Sequence, residues 1–383
     1  MPSKHLKNLI FSKALCLVPI FLVLCILAGC AAPSGTAGMV RPQEESDRAQ
    51  EILDVISFSG NSPAIVALLS DGTLKSAGLG RHFEDPVLAQ IFSWRDLVKI
   101  VSTGSDLIGL KADGSVVSTI GFRETPYPPD ERFDPNNWTG VRDIAFSVEE
   151  YYGLTEDGRI LVSNDMPEAS FGGGQVYQDW SGVKEILPYA YPESRGLIAL
   201  CEDGSVKLGS KYYDFTRTPR DAVAIASSGF ITACLNRDGT VFVAGPEVEY
   251  VKGFAEEANQ LQDVEQIAAS NNALLCRLKN GTVAVCDGDV LPQFAAVSDW
   301  HDMVDIQMMR TLLIGLRADG RVLWAPCFES ADYDREITGT LAGWEDIVRI
   351  RVHDGGEYFP SCILGWQSDG TLLAAGIDLS LLD

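Results

Sequence analysis

Histidine is scarce in this chain, with four in 383 residues, and His5 sits in a segment expected to be removed, so a histidine-rich metal site is improbable. No Cys-x-x-Cys occurs among the nine cysteines, which disfavours a zinc site. Positive charge is also in short supply. Thirty Lys and Arg face 53 Asp and Glu, giving a formal net charge of -23. Such a chain repels nucleic acid and anionic lipid surfaces, which argues against DNA or RNA as a partner. No helical period is long enough to predict a helix, and only one long apolar run exists. What is present is a hydrophobic content of 46%, ample for a core, with 22% charged residues. Disorder throughout and a polytopic membrane protein are both excluded by that balance.

The apolar run, residues 14–29, follows Lys4, Lys7 and Lys13 and reads as a secretory signal. Its sixteen residues rise about 24 Å as a helix, short of the ~30 Å hydrocarbon core. It ends Leu27-Ala28-Gly29-Cys30, which resembles a bacterial lipobox. That resemblance implies lipidation of Cys30, cleavage before it, and a mature chain of net charge -26. Residues 1–29 are thus expected to be a lipoprotein signal peptide, residues 30–49 a tether with Pro33, Gly35, Gly38 and Pro42, and 50–383 one folded domain. The expected address is the outer side of a cell membrane, at a cell surface or in a periplasm.

A repeat governs the rest. Asp-Gly pairs begin at Asp71, Asp113, Asp157, Asp203, Asp238, Asp319 and Asp369, and Asn280-Gly281 fills the gap, at intervals of 35 to 50 residues. These dipeptides between apolar runs signal tight hairpins in which both turn positions want positive φ. An aliphatic follows three positions after each, from Leu74 to Leu372. Four positions before each lies a small residue: Ala67, Gly109, Gly153, Ala199, Cys234, Cys276, Gly315 and Gly365. That restriction is expected if this strand runs near a crowded axis. The next residue is Leu in six copies, with Arg277 and Trp366 as exceptions. Most copies open with Trp-x-Asp or Trp-x-Gly before an aliphatic strand, as in Trp94-Arg95-Asp96-Leu97 and Trp138-Thr139-Gly140-Val141. Each unit supplies about three short antiparallel strands. The expected fold is therefore all-β, a β-propeller of seven or eight blades, with the eight copies favouring eight.

The unit running from Val98 to Gly121 resembles repeats of the regulator of chromosome condensation family, and the resemblance covers nearly the whole mature chain. The short repeat is similar to the bacterial branch, which includes the β-lactamase inhibitory propeller. The Gly-x-x-His of the eukaryotic branch is absent, so its chromatin and nucleotide-exchange roles are not carried over.

Candidates for chemistry are weak. Six cysteines remain beyond Cys30, an even number that invites a disulfide reading, but Cys234 and Cys276 fill the small slot and packing explains them. His82, His301 and His353 lie near acids, yet Asp302 belongs to the repeated opening and is expected to form a turn. Asp332 to Glu336 starts like a calcium loop, but Ile337 stands where glycine is required, leaving a solvated acidic loop. Gly172, Gly173 and Gly174 read as a loop tip. The loops between repeats carry aromatics of the kind enriched at binding hot spots: Phe122, Tyr127, Phe133, Tyr212, Tyr213, Phe215, Phe328 and Tyr333. The favoured reading is a monomeric, non-catalytic module that needs no cofactor or metal and binds another protein. The alternatives are a cell-wall or polysaccharide binder, and an enzyme such as a propeller lyase or glycosidase.

Overall fold

The computed structural model describes residues 51–382 apart from 59–63, 103–105, 121–133, 148–149, 164–176, 192–193, 210–218, 220, 228–230, 246–248, 270–272, 288–291, 310, 328–333 and 354–360. The described residues lie within one compact unit, Ala49–Asp383. Its strands form eight separate three-stranded antiparallel sheets, each built from consecutive strands. Blade 1 comprises Ile52–Phe58, Ala64–Leu69 and Leu74–Ala77. Blade 8 comprises Ile347–His353, Cys362–Gln367 and Leu372–Ala375. From blade 1 to blade 8 the first strand of each blade lies against the first strand of the next, so the first strands are innermost. This is an eight-bladed β-propeller.

Alternation along each strand sends side chains to the two neighbouring blades, so the core is distributed as eight clusters, one per interface. Ile108, Leu110, Trp138, Val141, Ile144 and Tyr151 fill the interface of blades 2 and 3. Val55, Ile65, Ala67, Leu364 and Trp366 fill that of blades 8 and 1, so the ring closes.

The hairpins differ from expectation in one respect. Only the glycine takes positive φ, between 75° and 90° across the eight turns, while the preceding Asp does not. In blade 1 the Gly72 N–H reaches Leu69 O at 2.9 Å and the Leu69 N–H reaches Thr73 O at 3.0 Å. This is a three-residue loop, a type I turn closed by a left-handed glycine, and its twist suits the strands as well as a type I′ pair. Asp enters for its side chain. Asp71 Oδ1 accepts from Thr73 N at 2.9 Å and Thr73 Oγ1 at 2.6 Å, and Asp113, Asp203, Asp238 and Asn280 repeat the cap on the Ser or Thr two positions on.

The small slot does not face the axis. It lies in the interface with the preceding blade, beneath the tryptophan that opens its own repeat. A Cβ at Gly365 would come within 2.5 Å of the Trp344 ring, one at Gly153 within 2.9 Å of Trp138, and one at Gly315 within 2.8 Å of Trp300. The repeats that open without tryptophan carry Ala67, Cys234 or Cys276 there. Side chains from the opening of the same repeat, the indole at Gly153, Gly315 and Gly365, Met303 beside it at Gly315 and Leu97 at Gly109, set the size limit, and not a crowded axis.

Helices are present although no period announced them. Helix α1 (Asp85–Ile91), α2 (Glu249–Ala258) and α3 (Asp334–Leu341) occupy connections from an outer strand to the next inner strand. They bury Ile91, then Val251, Phe254 and Ala258, then Ile337 and Leu341. Ile337 is therefore a core residue of a helix and not part of a solvated loop. The C-terminal segment forms a 3-10 helix over Leu379–Leu382 against the seam cluster.

Candidate interaction surfaces

The seven Asp-Gly turns and the Asn280-Gly281 turn share one edge of the ring with the openings of the inner strands. The opening position needs a left-handed backbone: Asp96, Asp263, Asp302 and Asp346 have φ of 57° to 61°, and Gly140 and Gly182 have 64° and 63°. Asp and Gly tolerate this conformation and most residues do not. The turn role expected for Asp302 is thus what it performs. At seven interfaces the turn glycine's carbonyl accepts from the first inner-strand N–H of the next blade at 2.9–3.1 Å, as in Leu97 N to Gly72 O. A backbone belt therefore runs along this edge from blade 1 to blade 8.

Immediately after each opening, the inner strand carries a β-bulge at the same register position in all eight blades. The extra residues are Leu53, Val98, Arg142, Lys184, Val223, Glu265, Val304 and Val348. Bulges turn side chains out of the pleat and are used to re-aim them. Val98, Val304 and Val348 are 53%, 52% and 61% exposed. Sequence reasoning passed over these positions, although two adjacent aliphatics before an alternating run, as in Leu97-Val98-Lys99-Ile100, are the signature of a bulge.

Polar groups on the inner strands tie blade to blade. Lys99 Nζ donates to Asp143 Oδ1 at 2.6 Å. The Gln266 amide bonds both backbone groups of Ile306, and Gln307 bonds Ile350 O and Val352 N, so each substitutes for a missing strand pairing. At the seam, Asp54 accepts from Arg351 at 2.6 Å and pairs with His353 Nε2 at 2.7 Å. Burial alone would raise the Asp54 carboxyl, but the His353 hydrogen bond and the nearby His353 and Arg351 groups outweigh it and hold the pKa low. His353 thus serves the closure. His301 is exposed, with Nδ1 2.9 Å from Asp299 O and Nε2 3.9 Å from Asp302. His82 lies in the connection after blade 1.

Two further features bring polar side chains together. An open cleft of about 680 Å³ at the Asp-Gly edge between blades 6 and 7 is lined by Arg277, Lys279, His301, Val304 and Arg317. Its two arginines are already engaged, Arg277 with Glu265 and Gln266, and Arg317 with Asp319. Buried Glu150 accepts from the Tyr152 hydroxyl at 2.5 Å, and Tyr177 stands edge-on to Tyr152. Burial, with the neighbouring Tyr177 and Glu150, raises the Tyr152 hydroxyl far above its ordinary range, so it serves as a fixed donor. All six cysteines of the folded unit are buried thiols. Burial pushes the Cys234 and Cys362 thiols up to about 12, which leaves them unreactive. Cys276 is raised as well, by its hydrogen bond to Cys286 and by burial. Among the described residues no three His, Cys, Asp or Glu side chains converge to hold a metal ion.

The aromatic candidates Phe122, Tyr127, Phe133, Tyr212, Tyr213, Phe215, Phe328 and Tyr333 lie outside the described residues, as do Cys30, the three glycines from Gly172, and Asp332. The outer strand that precedes each aromatic segment ends at the edge opposite the Asp-Gly turns, and the inner strand that follows it begins at the Asp-Gly edge.

No family model and no curated protein matches the sequence. Solved structures do resemble it at low identity. The computationally designed Ika8 protein shows 15% identity over 86% of this chain and 96% of that one, with a TM-score of 0.46. The ectodomain of the Physcomitrella patens receptor kinase CR4 shows 14% identity over 85% and 74%, with a TM-score of 0.41. Yeast RCC1 (Prp20), solved with Kap60, shows 12% identity over 82% and 98%, with a TM-score of 0.38.

Proposed function

We propose that this chain is a lipid-anchored, exported interaction module, a non-catalytic propeller that binds another protein. One observation carries this reading: what repeats is framework, while the bulge position that recurs in every blade varies in chemistry from aliphatic to basic to acidic. The turn caps, left-handed openings, tryptophans and small slots all serve the ring. The eight bulge positions hold Leu, Val, Arg, Lys, Val, Glu, Val and Val in register order. A rigid scaffold presenting blade-specific side chains on one edge is how recognition surfaces are built.

Lipidation at Cys30 rests on the lipobox resemblance alone. The inner strand of blade 1 begins at the Asp-Gly edge, so a tether would join there. Residues 31–49 reach about 65 Å at full extension, enough to leave that edge accessible. Two measurements test the proposal. Cys30→Ala is expected to move the protein from the membrane to the soluble fraction, and retention in the membrane would reject the anchor. The full chain isolated from a detergent extract of the source envelope is expected to bring down one stoichiometric protein. Sedimentation with purified wall and no protein partner would replace this reading with glycan binding.

A further inference from the structure

The bulge residues are not distributed evenly around the Asp-Gly edge. In three blades an exposed valine stands two residues after an opening aspartate in left-handed conformation: Asp96 and Val98, Asp302 and Val304, Asp346 and Val348. The blades that open with glycine instead, at Gly140 and Gly182, carry Arg142 and Lys184 at the bulge. Blades 7, 8 and 2 hold the three Asp–Val pairs, and Leu53 of blade 1, half-buried, stands between the last two. Four consecutive blades therefore carry an aliphatic arc of bulge residues across the ring seam, with Leu53 packed partly against the core of blades 1 and 2, and an aspartate stands two residues before each exposed valine. The turns of the same four blades add Asp319, Asp369, Asp71 and Asp113 to the outer border of the arc.

An exposed valine is unremarkable once, but three at one register position, in neighbouring blades, form a surface with a design. Its chemistry is aliphatic at the bulges, with a border in which carboxylates outnumber the cations Arg95, Lys111, Arg317, Arg321 and Arg349, and Arg317 and Arg321 already engage Asp319. We infer that this arc docks a basic amphipathic polypeptide segment, whose aliphatic side chains lie on Leu53, Val98, Val304 and Val348 while its lysines or arginines meet the opening and turn carboxylates. The inference rests on the interaction-module reading and names its surface and partner. Charge complementarity selects this occupant over an acidic one, and it makes binding fall with salt.

The test uses the full chain and a fluorescent 14-residue peptide of alternating Leu and Lys, compared by anisotropy with the same peptide carrying Glu for Lys. The Lys peptide is expected to bind at least tenfold more tightly, and to weaken as salt rises from about 50 to 300 mM. The double variants V304S/V348S and D302N/D346N should each weaken it about tenfold, since Asn keeps the left-handed backbone while removing the charge. V223S, at the same bulge in blade 5, should leave affinity unchanged even where it lowers melting, because Val223 packs partly against the core. Equal binding of the two peptides, or unchanged affinity in both doubles with melting intact, overturns the inference. Co-isolation separates the two levels: a natural partner held equally by wild type and both doubles rejects this surface but keeps the module, whereas no protein partner for wild type rejects the module itself.

Discussion

A turn glycine in this ring answers to two constraints, and they can be separated because one glycine has only the first. Gly320 has φ of 82°, and a Cβ there would stand 2.9 Å from Asp346 Cα of the next blade. Gly370 has φ of 90° and nothing within 4 Å, because the belt ends at blade 8. Alanine at Gly370 should cost about 1–2 kcal/mol for the left-handed backbone alone. Alanine at Gly320 should cost about 2 kcal/mol more, because backbone on both sides must separate. Chemical denaturation of the two variants measures the difference, and equal losses would remove the belt as a stabilising element. The turn aspartates carry the acid response. Hydrogen bonds from the Ser or Thr two positions on hold Asp71, Asp113, Asp203 and Asp238 below the usual carboxylate range. Asp319 is brought to about 2, chiefly by its bond to Arg317. A carboxylate depressed by folding stabilises above its unfolded pKa near 4 and ceases to do so as pH falls through its folded value. Denaturant midpoints should thus be flat from pH 7 to 5 and fall between about 4 and 2. Asp238→Asn, imitating Asn280, should keep its cap and soften that fall; an unchanged acid limb would show that these caps do not govern it.

Within a blade, the decisive pairing is the opening tryptophan against the small slot. Gly365 admits no Cβ under Trp344, whereas Gly109 meets the far end of the flexible Leu97 side chain, at 2.7 Å. Gly365→Ala should therefore cost about 1–3 kcal/mol and Gly109→Ala clearly less, because an indole wedged in a packed interface cannot swing aside. Combining Gly365→Ala with Trp344→Leu should recover part of the alanine's cost, and a double-mutant cycle measured by urea titration reads that coupling. Additive losses would mean that ring and slot do not restrain one another. The slot itself was legible, because eight equivalent positions restricted to Gly, Ala and Cys cannot arise from surface residues. Its cause was not legible. Four Gly and Ala199 accompany tryptophan while Ala67, Cys234 and Cys276 do not, but only the fold shows that the two positions meet. The short helices escaped for a different reason. In α2 only Val251, Phe254 and Ala258 mark the buried face, and ten residues give too few turns for a period to stand out. The bulge position was legible as a doubled aliphatic, yet its exposure follows from register, which appears only when strands are paired.

A ring of contiguous three-stranded blades has a topological problem at its ends, because no strand from one terminus completes a sheet begun at the other. Seven interfaces are held by the belt, and the eighth is not. There the sequence departs from its own repeat in ways that the seam explains. Trp366 replaces the usual Leu, stacks its ring 3.7 Å from the Arg349 guanidinium and donates from Nε1 to Ile52 O at 3.2 Å. It supplies from blade 8 the indole that blade 1, with Ala49 where other repeats have tryptophan, does not provide. Asp54, only 7% exposed, takes Arg351 and His353 as partners across the same interface. Closure thus depends on a few side chains where other interfaces use backbone, so local opening should begin at this seam. Asp54→Ala should cost about 1–3 kcal/mol, limited because Arg351 and His353 are partly exposed and can return to water. Hydrogen exchange at neutral pH should then quicken in the inner strands of blades 1 and 8, Ile52–Phe58 and Ile347–His353, before it changes in blade 4, Val183–Tyr191. A uniform acceleration would mean that the ring opens as one unit and that the seam is as strong as the belt. Because the apolar arc spans this seam, a variant that loosens it should also weaken the basic peptide, whereas a framework variant in blade 4 should not.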